Sequence, residues 1–322
     1  MKNIYGTLAG IGLLLSATTR ADTYGWLDFF RDWTAFNERN RRALFSEQES
    51  EQPTTRNKSR MESGAVRLAD IKGGVPSAIY DLKNFLLDKD AFERAGAHPP
   101  KGILLVGAPG TGKTTIVKAL AAEIGAPLIA ASGSEFVEIY VGTGAKRVRE
   151  LFQSARDALK TSGAKHAIIF IDELDAIGQR GQRNGSSEDQ KTINELLTQM
   201  DGYASDNSIT VIAATNYPDL IDPGLLRPGR FDEIITIELP EFSSRLEILE
   251  FYLYAPQFNR SVEGEISLEP LAHASSGWSG AELESVIKKA ALIVARSKRK
   301  AIRQADLMTA FNEVKKMHTH RK

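Results

Sequence analysis

Eight consecutive residues, Gly107-Ala108-Pro109-Gly110-Thr111-Gly112-Lys113-Thr114, are spaced as G-x-x-x-x-G-K-[ST] between an apolar run and a helical pattern. Glycines there let successive backbone N–H groups turn inward around an anion, and the helix that follows offers its positive N-terminus. Lys113 is expected to reach the β and γ phosphate oxygens, Thr114 to offer a hydroxyl to magnesium, and Thr115 to extend the nucleotide-binding stretch. A second apolar run, Ile168-Ile169-Phe170-Ile171, ends in Asp172-Glu173. Carboxylates at the end of a buried strand are tolerated when they face a ligand or a cation. Asp172 is expected to hold magnesium through water, and Glu173 to activate and orient a water for in-line attack on the γ-phosphate. Each motif alone has a plainer reading, a Gly-rich turn for the first and a helix cap for the second. Side by side they specify nucleotide hydrolysis.

A third run, Ile209 to Ala214, leads into Thr215-Asn216, and Leu226-Arg227-Pro228-Gly229-Arg230-Phe231-Asp232 follows. Asn216 could hold the attacking water from the side. Arg227 and Arg230, in a turn-forming stretch, are poorly placed for their own subunit's γ-phosphate and better placed for a neighbour's. Arginine supplied in trans stabilises transition-state charge, so that assignment implies a ring. The alternative is that both pair with surface carboxylates.

These residues need a scaffold, and the apolar runs supply one. Gly102–Val106, Ala167–Ile171 and Ile209–Ala214 alternate with helical patterns, which predicts an α/β fold with a parallel sheet between helices. Beyond Pro240 helical patterns take over, at Arg245–Tyr254, Ser279–Ser297 and Gln304–Met317. In the second of these, Leu283, Val286, Ile287, Ala290 and Val294 share one apolar face. The expected organisation is a large α/β domain over 65–240 and a small all-α lid over 241–322. There is no internal repeat of solenoid or propeller period.

The 322 residues are 42% hydrophobic and 25% charged, with 41 Lys+Arg against 41 Asp+Glu, so no global basic field points to nucleic acid. Cysteine is absent, which removes disulfides, thiolate zinc sites and cysteine nucleophiles. Residues 1–22 carry an uncharged, apolar stretch from Ile4 to Thr19, short for a bilayer span and suited to a hydrophobic anchor or targeting segment. Trp26, Phe29, Phe30 and Trp33 recur at helical spacing. They fit either a membrane-surface helix or one docked on its own domain. The rest of 23–64 is a polar linker. An exported ATP-dependent domain would lack its nucleotide, so an uncleaved anchor or an organelle-targeting segment is expected, with the ATPase domain facing an ATP-containing compartment, cytoplasm or organelle interior.

The glycine-rich loop, the Asp172-Glu173 strand end, Ala214-Thr215-Asn216 and Arg227 to Asp232, in this order, resemble an AAA+ ATPase. The resemblance runs from about Ala69 to Met317. Phe136-Val137-Glu138-Ile139-Tyr140-Val141-Gly142-Thr143-Gly144-Ala145 and Met200-Asp201-Gly202-Tyr203 resemble the FtsH type. That implies a P-loop NTPase AAA+ fold with a helical lid, ATP and Mg2+ as cofactors, and a homo-oligomeric ring, a hexamer, acting on proteins. A mixed ring with FtsH-type relatives is the alternative partnership. By the same resemblance Tyr140, Val141 and Gly142 form a pore loop that grips polypeptide, and Asp201, Gly202 and Tyr203 signal between subunits. Asp70, Ile71 and Gly73 border the adenine, and Gly280 and Ala281 open the lid helix. Glu282 stands where the family usually has Asp, Tyr217 where Arg is common, and Thr115 where an aliphatic is usual. FtsH-type proteases also carry H-E-x-x-H, and none of His98, His166, His273, His318 and His320 begins that motif, so proteolysis is not expected of these residues. His318 and His320 are expected to be a solvated end.

Overall fold

The computed structural model describes residues 66–94, 96, 100–137, 143–177, 187–202, 208–255 and 260–319. Helices α1 (Ser77–Leu87) and α2 (Lys89–Arg94) precede the first strand, β1 (Gly102–Val106). The chain then runs through α3 (Lys113–Ile124), β2 (Leu128–Ser132), α4 (Thr143–Ser162), β3 (Ala167–Asp172), α5 (Ser187–Gly202), β4 (Ile209–Thr215) and β5 (Phe231–Thr236). The sheet order is β2-β3-β4-β1-β5 and every pair is parallel. Parallel strands need crossovers, and here α4 links the neighbours β2 and β3, α5 links β3 and β4, and α3 carries the chain from β1 to the edge strand β2.

Alternation along the central strands sends side chains to two separate layers. Ile103, Leu105, Ile168, Phe170, Ile212 and Ala214 pack with α1 and α3. Leu104, Ile169, Ile171, Val211 and Ala213 pack with α4 and α5. Burial on both faces explains why β1, β3 and β4 are near-continuous apolar runs. The edges differ. In β2 every residue is only half-buried, and in β5 three successive residues, Asp232, Glu233 and Ile234, are exposed.

The chain after Pro240 folds into α6 (Phe242–Tyr254), α7 (Glu269–Ala274), α8 (Gly280–Arg296) and α9 (Gln304–Thr319). The apolar face expected on α8 is buried, with Leu283, Val286, Ile287, Ala290 and Val294 all inside. They meet Leu249 and Leu253 of α6, Leu271 of α7 and Leu307 and Phe311 of α9. Trp278 stacks on Phe311 with ring centroids 4.9 Å apart. The buried guanidinium of Arg245 donates to the carbonyls of Pro240, at 2.8 Å, and Ala272, at 2.9 Å, fastening the start of this bundle to α7. All the described residues lie in one unit, Met61–Lys322.

Candidate active site

The site gathers at the carboxyl ends of three adjacent strands, β3, β4 and β1, where open α/β sheets offer a crevice. Val106 and Thr215 are register partners, so Gly107 and Asn216 leave the sheet side by side. The glycine-rich loop turns from β1 into α3, whose first residue is Lys113. Lys113 is buried, and its ammonium donates to Gly107 O at 2.8 Å, Ala108 O at 3.0 Å and Asn216 Oδ1 at 2.8 Å. Burial pushes its pKa down, while Asp172 and Asp175 act the other way. Thr114 donates its hydroxyl to Asp172 Oδ2 at 2.7 Å. Thr111 donates to Ala108 O at 2.9 Å, closing the loop on itself, and Thr115 is exposed on α3.

Glu173 follows directly. Its backbone is left-handed, φ 53° and ψ 50°, and its side chain is exposed beside the crevice. Two contacts hold that geometry. Asp172 Oδ1 accepts from Glu173 N at 3.0 Å, and a single 3-10 turn, Leu174–Ala176, begins at once with Leu174 fully buried. Gly133, after β2, lies so close that a Cβ there would stand 2.2 Å from Glu173 O, so no other residue fits without displacing the turn. Gly133, Asp175 and Thr215 are supporting residues that sequence reading gave no role. The second aspartate of Asp172-Glu173-Leu174-Asp175 and the hydroxyl within Ala214-Thr215-Asn216 were the available signals.

The lid reaches the same loop. Ala281 N donates to Gly110 O at 3.2 Å. Gly110 has φ +77°, and a Cβ on it would lie 2.7 Å from Ala281 Cβ, so the approach requires glycine. Gly73, in the segment after Asp70 and Ile71, and Gly280 both face Ile248 Cδ1 of α6, at 3.1 and 3.9 Å from where their Cβ atoms would be. Asp70 is exposed and accepts from Arg67 N, whereas Ile71 packs under the sheet with the α1 and α3 layer. Ser279 and Glu282 form a capping box at the start of α8. Glu282 Oε1 also meets His318 Nδ1 of α9 at 2.6 Å, and the His318 side chain is 17% exposed. The expectation of a solvated His318 therefore fails: Glu282 and the ring of Trp278, 5.4 Å away, give the imidazole a polar and an apolar partner.

Of the two arginines, Arg227 is exposed. Arg230 donates through Nε and Nη2 to the two carboxylate oxygens of Asp201, at 3.1 and 2.8 Å, and through Nη1 to Gly224 O at 2.6 Å. That fork holds the Asp201 carboxyl below its ordinary value. Asp201 and Gly202 end α5, and Tyr203 lies outside the described residues, as do Tyr140, Val141 and Gly142 and the whole of 1–64. Of the residues before Tyr140, Phe136 is buried and Val137 is exposed.

Comparison with known proteins bears on this geometry. The family model for the ATPase family associated with various cellular activities (AAA) matches residues 103–239, which contain the loop, both carboxylates, Asn216 and both arginines. A second family model, the AAA+ lid domain, matches 265–309. The ATP-dependent zinc metalloprotease FtsH 2 of Sphaerobacter thermophilus is 44% identical over 246 residues, 76% of this chain and 36% of that protein. FtsH of Thermotoga maritima is 44% identical over 250 residues, 75% and 39% of the two chains. FtsH of Acholeplasma laidlawii is 39% identical over 279, 85% and 42%. The chain thus spans about two fifths of the length of these relatives. A parallel sheet whose β3 and β4 ends bring two carboxylates and an asparagine to the lysine and threonine that follow one glycine-rich loop, with a lid that touches that loop, agrees with both matches, and the chain carries an AAA ATPase domain over 103–239 followed by an AAA+ lid domain over 265–309.

Proposed function

We propose that this chain binds ATP with Mg2+ and, as a hexameric ring, uses hydrolysis to unfold, translocate or remodel proteins. The observation that carries the proposal is the joining of three strand ends: Lys113 to Asn216 and Thr114 to Asp172, both at 2.7–2.8 Å. Bound phosphates would take over the Lys113 hydrogens that Gly107, Ala108 and Asn216 now accept, with the loop from Gly107 to Thr115 supplying N–H groups. Asp70, Ile71 and Gly73 would border the base, and Gly280 and Ala281 would close from the lid.

Thr114 and Asp172 fit magnesium, a hard cation that keeps several waters and takes one or two carboxylates besides phosphate oxygens. Among the described residues no three His, Asp or Glu gather into a protein cage, which such a site does not need. Bound there, the ion would neutralise charge on the phosphate oxygens. Glu173 would take the proton of the attacking water, and Asn216 would orient that water. Arg227 and Arg230 would serve a neighbouring site, Asp201, Gly202 and Tyr203 would carry its state across the interface, and Tyr140, Val141 and Gly142 would grip substrate. A tether through residues 1–22 at a membrane bordering an ATP-containing compartment completes the proposal. Among the described residues no helix is long and apolar enough to cross a membrane. The 322 residues contain no H-E-x-x-H, so peptide hydrolysis is not assigned to them.

The test measures ATP turnover and unfolding of a tagged protein together, across protein concentration, with Arg230→Ala mixed into wild type. Specific turnover should rise with concentration and fall more than in proportion to the mutant fraction. Tyr140→Ala should hydrolyse ATP without unfolding protein. Concentration-independent turnover falling in strict proportion would remove the ring, and negligible turnover throughout would point to a mixed ring with FtsH-type relatives.

A further inference from the structure

Thr215 is the last residue of β4 and is buried, where a valine would fill the same volume without a polar group to satisfy. Its hydroxyl has two partners. It donates to Asp175 Oδ1 at 2.6 Å and accepts from Tyr217 N at 3.0 Å, a backbone donor that has just left the ladder. The residue between these two anchor points is Asn216, whose side chain meets Lys113. Asp175 sits in the single turn that starts immediately after Glu173, and Ala176 N donates back to Glu173 O at 2.9 Å. One carboxylate–hydroxyl bond therefore joins the turn that carries Glu173 to the strand end that carries Asn216. A hydrogen bond accepted by a carboxylate at this length is of the strong, charge-assisted kind.

We propose that Asp175 and Thr215 are positioning residues for hydrolysis, fixing Glu173 and Asn216 relative to each other so that both address the same water. The proposal rests on the roles assigned above to Glu173 and Asn216. Catalytic groups lose rate steeply when displaced by fractions of an ångström to an ångström, so the bond should matter to turnover more than to nucleotide binding.

The experiment uses the full chain and compares Thr215→Val, Thr215→Ser and Asp175→Asn with wild type, reading kcat, the Kd for ATP and Tm. Thr215→Val should lose about tenfold or more in kcat with Kd for ATP changed less than about threefold, and Thr215→Ser, which keeps the hydroxyl, should recover most of the rate. Asp175→Asn keeps an acceptor without the charge and should fall between, with kcat again changing more than Kd. Should Thr215→Val not fold, the serine and asparagine variants decide. Wild-type kcat in Thr215→Val overturns the proposal, as does equal loss in the serine and valine variants, or a rate loss that only tracks Kd or Tm. Glu173→Gln, run beside them, separates the two levels. If it is inactive while Thr215→Val runs at full rate, only the positioning role fails; if it turns over normally, the assignment beneath it fails as well.

Discussion

Lys113 engages three acceptors within its own chain, so it is already held where phosphate would arrive. Exchanging two loop carbonyls and an amide for phosphate oxygens gives the buried ammonium charged partners, and binding should reverse the downward push that burial exerts on its pKa. Glu173 has the opposite character, with an exposed side chain on a fixed backbone. Glu173→Gln should therefore leave ATP affinity within about twofold while kcat drops by about 10²–10⁴, the range for loss of a general base. Equilibrium binding and single-turnover hydrolysis check both halves, and rapid single turnovers would remove Glu173 from the chemistry. Arg230 shows what an isolated reading of residue types leaves out. A turn-forming stretch suggested reach toward a neighbour, and within the chain the Nε–Nη2 edge of its guanidinium lies on Asp201 while Nη1 meets Gly224 O. These bonds use three of the five guanidinium N–H groups, so service to a neighbouring phosphate would fall to the remaining hydrogens on Nη1 and Nη2 unless the pair opens.

At the scale of elements, legibility followed position in the sheet. The three central strands were readable because burial on both faces leaves only apolar residues. The edge strands were not, because Leu128–Ser132 is only half-buried and Phe231–Thr236 mixes charge with Ile234 exposed. The same holds within the site. Loop, carboxylates and Asn216 are contiguous motifs, whereas the Asp175–Thr215 bond and the Gly133 contact join residues about 40 apart and depend on packing. The lid has its own electrostatic seams. Arg299 grips both oxygens of Asp306, at 2.9 and 2.6 Å, and together with Arg303 N it holds that carboxyl below the ordinary range against the push of burial. Burial pushes the Glu282 carboxyl up, but hydrogen bonds from His318 and Ser279 outweigh it and leave it lowered. A carboxyl depressed in the folded state stabilises above its unfolded pKa, about 4, and that contribution fades as pH falls through the lower folded value. The lid bundle should accordingly loosen below about pH 4, and Asp306→Asn should flatten that acid limb. Near-ultraviolet circular dichroism, which reports the Trp278–Phe311 stack, follows it directly, and an unchanged acid limb in Asp306→Asn would show that the pair contributes nothing.

Taken as a whole molecule, two apolar layers clamp the sheet, a third core fills the lid, and the backbone contact of Ala281 with Gly110 lies where lid and loop meet. Apolar burial of this kind gives stability that is spread through the structure, which lets single positions depart from their preferred conformation; among the described residues two non-glycine residues do so, Lys298 after α8 and one in the site. The one in the site is Glu173. A non-glycine residue in the left-handed region costs about 1 kcal/mol or more, and Asn is among the few side chains that enter it readily. Glu173→Asn should then raise the melting temperature by about 2–4 °C while abolishing turnover. Differential scanning calorimetry decides it, and a variant no more heat-resistant than wild type would refute it. The left-handed turn thus sets durability against turnover: a copy selected only to survive heating would drift away from glutamate here, whereas one selected for the proposed hydrolysis would keep it at a cost in heat resistance.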